Sequence, residues 1–307
     1  MNQGRILNKI SDTILIIDFG SQYTQLIARR VRECGVFSIV KPNSVTINEI
    51  QNIKPNGIIL TGGPESITGN KKLKITKSIF NLNIPILGIC YGMQLIADYF
   101  HGKVSTSRKK EFGHSVFQYK GSSKLFSSHK FKNNFNVWMS HSDNVVQLPK
   151  GFQCIGSSTN SKISAFSQEK NKIYGLQFHP EVTHTEQGMI IIKNFVIKIC
   201  QCSKSWTTKN IIQDTISSIK TTVKKDNVLL ALSGGVDSTV VAALLHKAIG
   251  KKLKCMFINT GLLRKNEINE VELNIIKKLK INLITINAEK IFLNKLKKII
   301  DPEKKER

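Results

Sequence analysis

The sequence has 307 residues and a formal charge of +25, from 46 Lys and Arg against 21 Asp and Glu. That length supports two domains, each with its own core, and no apolar run approaches the ~18 residues of a membrane span or forms the h-region of a signal peptide, so a cytoplasmic protein with no membrane partner is expected. The charge does not call for a nucleic-acid partner, because only seven of the basic residues are Arg, the lysines are spread over the whole length, and no basic segment is interleaved with aromatics.

In chain order, the apolar run Thr13 to Asp18 ends at Phe19-Gly20 and predicts a central parallel strand. Ser21 to Cys34 has apolar residues at helical spacing with Gly35 as its stop, and Phe37 to Val40 and Gly57 to Leu60 predict two more strands. Strand, helix, strand and the loop Thr61-Gly62-Gly63-Pro64 make a doubly wound α/β pattern, whose sites lie beyond the carboxyl ends of the strands.

Pro85 to Ile89 predicts a buried strand turning at Cys90 into a helix from Gln94 to Phe100. Side chains two positions either side of so tight a turn would collide, which accounts for Gly88 and Gly92 in G-x-C-x-G, the pattern of a nucleophile elbow. At a helix N-terminus the thiolate is favoured over the thiol. The N–H groups of Gly63 and Tyr91 are then candidates for an oxyanion hole. The alternatives are a buried structural thiol and an ordinary Gly-Pro turn. The other five cysteines form no C-x-x-C pair, so neither a zinc ribbon nor a disulfide framework is indicated.

Residues 102–173 are alternating and turn-rich, as antiparallel strands are, and Trp138-Met139-Ser140-His141-Ser142-Asp143 ends one of them. A strand from Lys172 to Phe178 delivers His179-Pro180-Glu181, so that Cys90, His179 and Glu181 can act as nucleophile, proton carrier and orienting carboxylate. His179, Glu181 and His184 also have superficial zinc spacing, against which Pro180 argues by breaking a helical face. A helix from Glu186 to Cys202 closes a first domain, taken as 13–205, and Ser203 to Thr208 is the linker to a second, 206–307.

In that second domain a helix over Asn210 to Lys220 precedes the strand Val228 to Leu232. The strand opens into Ser233-Gly234-Gly235-Val236-Asp237-Ser238-Thr239 and a helix from Val240 to Ile249. Glycines and hydroxyls at a helix N-terminus suit a phosphate, and Asp237 can hold Mg²⁺ against a pyrophosphate. No G-K-[ST] is present, so this is not a Walker loop. Strands at Leu253 to Asn259 and Ile281 to Ile286, with a helix over Arg264 to Lys280 between them, bring the count to three, an incomplete sheet.

The segments D-F-G-S-Q-Y-T-Q-L (Asp18 to Leu26), G-G-P-E-S (Gly62 to Ser66), C-Y-G-M-Q (Cys90 to Gln94), E-F-G (Glu111 to Gly113), Q-F-H-P-E-V-T-H-T (Gln177 to Thr185), L-S-G-G-V-D-S (Leu232 to Ser238) and N-T-G-L-L-R (Asn259 to Arg264) together resemble the family of glutamine-hydrolysing GMP synthases. The resemblance implies a class I glutamine amidotransferase domain followed by an incomplete N-type ATP pyrophosphatase domain of adenine-nucleotide alpha-hydrolase-like fold. It implies that Cys90, His179 and Glu181 hydrolyse glutamine, with Gly63 and Tyr91 at the oxyanion and Gln94, Ser140, His141 and Ser142 around the substrate. Ammonia would then aminate xanthosine 5'-phosphate to GMP at the expense of ATP, gripped with Mg²⁺ by Ser233, Gly234, Gly235, Val236, Asp237, Ser238 and Thr239.

Ser142 stands where the family usually has Gly, which is expected to narrow the glutamine pocket. Asn259-Thr260 replaces Asp-Asn or Asp-His, which removes a charge near the nucleotide. The family's further pyrophosphatase strands and its C-terminal dimer domain have no counterpart, so an alternative expectation is a remnant with glutaminase activity alone or none.

Overall fold

The computed structural model describes residues 12–69, 72–128, 131–297, 299 and 301, which divide between Thr207 and Thr208 into two compact units. The first runs β1 (Thr13–Asp18), α1 (Thr24–Glu33), β2 (Phe37–Pro42), α2 (Ile47–Ile53), β3 (Gly57–Leu60), β4 (Ile86–Ile89), α3 (Tyr91–Tyr99), β5 (Lys103–Tyr119), β6 (Asn134–Gln147), β7 (Gln153–Ser158), β8 (Ala165–Gln168), β9 (Ile173–Leu176) and α4 (Gly188–Lys193). All nine strands form one sheet in the order β2-β1-β3-β4-β9-β8-β7-β5-β6. Pairing is parallel from β2 to β9 and antiparallel from β9 to β6.

Successive residues of a strand face opposite sides, and β1 is apolar on both. Ile14 and Ile16 join one core with Ile27 and Val31 of α1 and Ile191 and Ile192 of α4, while Leu15 and Ile17 join the other with Ile50 of α2 and Met93 and Ile96 of α3. Helices therefore cover both faces, which leaves the carboxyl ends of the parallel strands for a site. That is where the loops after β1, β3, β4 and β9 converge.

The second unit has α5 (Thr208–Val223), β10 (Val228–Leu232), α6 (Val236–Ile249), β11 (Leu253–Asn259), α7 (Glu267–Glu272), β12 (Leu283–Asn287) and α8 (Glu289–Leu296). Its three described strands are parallel in the order β10-β11-β12 around a small core that includes Ala242, Cys255, Phe257 and Val271.

Several boundaries differ from expectation. Helix α3 begins at Tyr91 rather than Gln94, so it starts directly at the elbow, and α6 begins at Val236 rather than Val240, with Gly235 as its N-cap. Thr208 belongs to α5 and not to the linker. The expected helix 186–202 is α4 continued as a π-helix over Asn194–Ile199, where Cys200 N–H reaches back five residues to Phe195 O. The expected helix 264–280 is α7 continued as a π-helix over Leu273–Lys278. Helix α2, unanticipated, opens on a capping box in which Thr46 and Glu49 bond each other's backbone N–H.

Candidate active site

Cys90 sits between β4 and α3 at φ +52°, ψ −106°, in the left-handed half of φ space that a β-carbon resists. Its N–H is tied to Leu176 O of β9 at 2.7 Å. The flanking glycines are there for space. A β-carbon on Gly88 would lie 2.5 Å from the Gly92 carbonyl, and one on Gly92 would lie 2.3 Å from Leu60 O of β3.

A third glycine, Gly62, is less tightly held but stands between the two groups: a β-carbon there would sit 3.3 Å from His179 Cε1 and 3.7 Å from Cys90 Cβ. It holds open the place where imidazole and thiol meet. His179 and Glu181 arrive on the loop after β9, and both are buried. His179 Nδ1 is 2.7 Å from Glu181 Oε1, which fixes the tautomer and leaves Nε2 for Cys90. The loop is pinned by His179 N–H to Trp138 O at 3.0 Å, by Thr185 Oγ1 donating to His179 O at 2.6 Å, and by Arg30 Nε donating to Glu181 O at 2.9 Å. Tyr23 packs edge-on against the imidazole, with ring centroids 5.0 Å apart.

Burial works against a charged His179, but the Glu181 carboxylate and the adjacent Cys90 thiol outweigh it and hold the imidazole well above its ordinary 6.5. The sign follows: a protonated His179 stabilises the folded unit below pH 6.5, and that contribution is lost as pH rises through the raised value. His184 lies apart from the pair, its ring tilted over Trp138 at 4.6 Å.

Cys90 and His179 open onto a cavity of about 280 Å³ that is also lined by Gly63, Tyr91, Gln94, Ser140, His141, Ser142 and Asp143, with Gly20 to Tyr23 and Gly62 to Ser66 at the rim. All the first-unit residues expected from the sequence thus border one space, except Glu181, which stands behind His179. The Tyr91 side chain turns away from it, its hydroxyl donating to Leu73 O at 2.9 Å, and burial pushes that phenol up to about 12. Two residues were missed by sequence reasoning. Asp143 is buried on the cavity wall, its Oδ1 accepting from Thr106 Oγ1 at 2.9 Å and its Oδ2 from Ser66 Oγ, and among the described residues no cation pairs with it. Gln177 is fully buried with its Nε2 3.8 Å from Cys90 Sγ.

The His141 imidazole points at Glu111 instead of the cavity centre, with Nε2 3.2 Å from Glu111 Oε2 but without hydrogen-bond alignment. Burial raises the Glu111 carboxyl, yet His141 and the hydroxyls of Ser158 and Ser115 bring it below the ordinary 4.5. Glu111→Gln is therefore expected to cost about 2 kcal/mol at pH 7. Because the folded value is depressed, that stability is complete above pH 4.5 and fades as pH falls through the lower folded value, so the urea midpoints of parent and variant should converge in acid. Curves that stay parallel down to pH 3 would assign the loss to packing alone.

A class I glutamine amidotransferase family profile matches residues 15–199, the segment that builds this cavity. The chain belongs to that family. A second profile, NAD synthase, matches residues 208–306. The chain is 49% identical to a glutamine-hydrolysing GMP synthase of Treponema denticola over 98% of its own length and 57% of the relative's. It is 46% identical to the Bacillus cereus enzyme of that name over 97% and 58%. It thus spans under two thirds of the curated relatives it matches. A solved structure from Thermoplasma acidophilum, described as a candidate GMP synthase subunit, superposes on 62% of this chain and 94% of that one, with TM-score 0.57 and 33% identity.

Beside this amidotransferase unit, the second unit carries Ser233 to Thr239 at the β10–α6 junction. Gly234 takes φ +80°, Gly235 caps α6, and a β-carbon on Gly235 would meet nothing nearer than Ser233 Oγ at 3.5 Å. Ser233 Oγ and Ser238 Oγ are 3.2 Å apart, and the Ser238 and Thr239 hydroxyls donate to Gly235 O. Val236 and Asp237 are exposed in the first helical turn. An open loop at the N-terminus of a 14-residue helix fits an anion such as a pyrophosphate. Asn259 accepts from Gly261 N–H at 2.9 Å and so serves its own turn.

Proposed function

We propose that this chain hydrolyses glutamine at Cys90 and supplies the ammonia for ATP-dependent amination of xanthosine 5'-phosphate to GMP, as the names of its relatives suggest. The observation that carries the hydrolytic half is the strained Cys90 facing a buried His179–Glu181 pair across Gly62. The Cys90 thiolate adds to the side-chain amide carbon, and the oxyanion formed takes hydrogen bonds from the Gly63 and Tyr91 N–H groups. His179 gives its Nε2 proton to the departing nitrogen as the C–N bond breaks, leaving a thioester and ammonia. Water, losing a proton to His179, then cleaves the thioester to glutamate and restores Cys90. Glu181 keeps the imidazole in one tautomer through both steps.

Asp143 gives the cavity its selectivity, since an unpaired buried carboxylate seeks a cation and the α-ammonium of an amino acid supplies one. Ser140, His141, Ser142 and Gln94 complete the wall, with Ser142 narrowing it relative to glycine. In the second unit Ser233, Gly234, Gly235, Val236, Ser238 and Thr239 would hold the pyrophosphate of ATP and Asp237 would hold Mg²⁺. When bound, the metal supplies charge that offsets the departing pyrophosphate.

Glutamate release from glutamine by the purified chain tests the first half; none at all would overturn it. GMP measured by chromatography after incubation with xanthosine 5'-phosphate, ATP, Mg²⁺ and ammonia tests the second half independently. Glutamate without GMP would confine the reading to hydrolysis.

A further inference from the structure

Gln177 lies just before His179, is fully buried, and has its backbone N–H committed to Ser164 O at 2.9 Å. Its side chain meets two groups: Nε2 lies 3.8 Å from Cys90 Sγ, and Oε1 lies 3.4 Å from Gln94 Nε2. Which end of a buried amide faces the sulfur is decided by its neighbours. Gln94 is 2.8 Å from Asp143 O, a backbone carbonyl that can only accept, so the Gln94 atom there must be nitrogen. The second hydrogen on that nitrogen then demands an acceptor, which makes the near end of Gln177 its oxygen. The far end, toward Cys90, is consequently the NH₂ group.

We propose that Gln177 is a catalytic residue, its amide N–H donating to the Cys90 thiolate, and that Gln94 is a positioning residue that prevents the amide from turning its oxygen to the sulfur. The inference rests on Cys90 being the nucleophile. As a thiol, Cys90 donates to Ser140 O at 3.5 Å. Once ionised, the sulfur faces that carbonyl oxygen without a proton between them, a repulsive arrangement. A donor on another side is then needed beyond the imidazolium, and Gln177 is in place to be one. A hydrogen bond to a charged partner in a dry site is worth more than one between neutral groups. Gln94 thereby acts twice, bordering the cavity with one part of its side chain and clamping the amide behind it with its Nε2.

The rate at which iodoacetamide alkylates Cys90, located by peptide mass spectrometry on the full chain, reports thiolate population directly. For Gln177→Leu the rate at pH 7 is expected to fall about tenfold, the equivalent of one charged hydrogen bond, and at pH 10 to match the parent. Gln177→Glu keeps the size and polarity of the site, sets a like charge against the sulfur, and should slow the pH 7 reaction further. It carries the test if the leucine variant fails to fold by circular dichroism. Gln94→Leu, which frees the Gln177 amide to turn, should slow alkylation in the same direction. A folded Gln177 variant alkylated within about twofold of the parent at pH 7 overturns the proposal, because no charged hydrogen bond is then lost. So does a rate reduced equally at pH 7 and pH 10, which would mean blocked access and not a less populated thiolate. The parent separates the two levels of inference: if its Cys90 reacts no faster at pH 7 than the half-buried Cys154, the nucleophile assignment itself fails, and Gln177 with it.

Discussion

Cys90→Ala is expected to lower glutamine hydrolysis by at least ~10⁴-fold while leaving the amidotransferase unit folded. Among the described residues no other cysteine lines this cavity, and the serine hydroxyls that do are far weaker nucleophiles than a thiolate. Ser140 belongs to β6, at the far edge of the sheet, and what it offers Cys90 is its backbone carbonyl. The structural cost of the substitution is small, because apart from the imidazole Sγ makes only long polar contacts, to Ser140 O at 3.5 Å and from Gln177 Nε2 at 3.8 Å. A chloroketone analogue of glutamine should label Cys90 in the parent and nothing in the variant. Labelling of Cys34 or Cys154, or hydrolysis by the variant at the parent's rate, would remove Cys90 from its role.

Gly92→Ala is expected to destabilise the amidotransferase unit strongly. The added carbon would lie 2.3 Å from Leu60 O and 2.8 Å from both the carbonyl carbon and the Cβ of Leu60. Those atoms belong to β3, a fully buried strand paired on both sides, so no flexible side chain can yield. Overpacking of this kind costs about 3 kcal/mol or more, and for a unit of this size that lowers Tm by roughly 6 to 12 °C. Relief can come only by moving α3 away from the sheet, which carries Cys90 away from His179, so activity should fall together with Tm. The exposed Gly69, where a new carbon would first meet Ser66 at 3.5 Å, is the control, with an expected change within about 0.5 kcal/mol. A Gly92→Ala protein melting with the parent would mean that β3 and α3 are not in the close contact described.

The parts of the fold legible in the sequence are those whose cause is local. Gly57–Leu60 is a continuous apolar run because both faces of a central parallel strand are covered, and its limits were readable to the residue, as were those of Val228–Leu232, an edge strand of the described sheet whose Leu229 is exposed. The elbow was legible because Gly88, Cys90 and Gly92 answer to one turn. Helix α2 left local signals too, Thr46 and Glu49 three residues apart and the isoleucines Ile47, Ile50 and Ile53, but at seven residues it is two turns long, too short for a helical period to stand out.

Helix starts were misplaced where a tight turn runs directly into the helix, as at Tyr91 and Val236, because the motif residues were assigned to a loop. The roles of Asp143 and Gln177 were out of reach for a different reason. Ser66 meets Asp143 across 77 residues of sequence, Gln94 meets Gln177 across 83, and Gln177 meets Cys90 across 87. No spacing rule spans side chains set on a loop, a helix and a distant strand. The pairing of β4 with β9 brings Cys90 and Gln94 to Gln177, and the long strand β6 brings Asp143 to the same place.

The backbone torsion of Cys90 has a practical corollary for engineering. Of the six cysteines it alone has a positive φ, a region where glycine is at ease and a β-carbon costs about 1 kcal/mol or more. A library sorted for thermal tolerance alone should therefore enrich glycine at position 90, rewarding variants that have silently discarded the nucleophile. A stabilisation campaign on this protein should hold that position fixed or couple every round of sorting to a turnover assay.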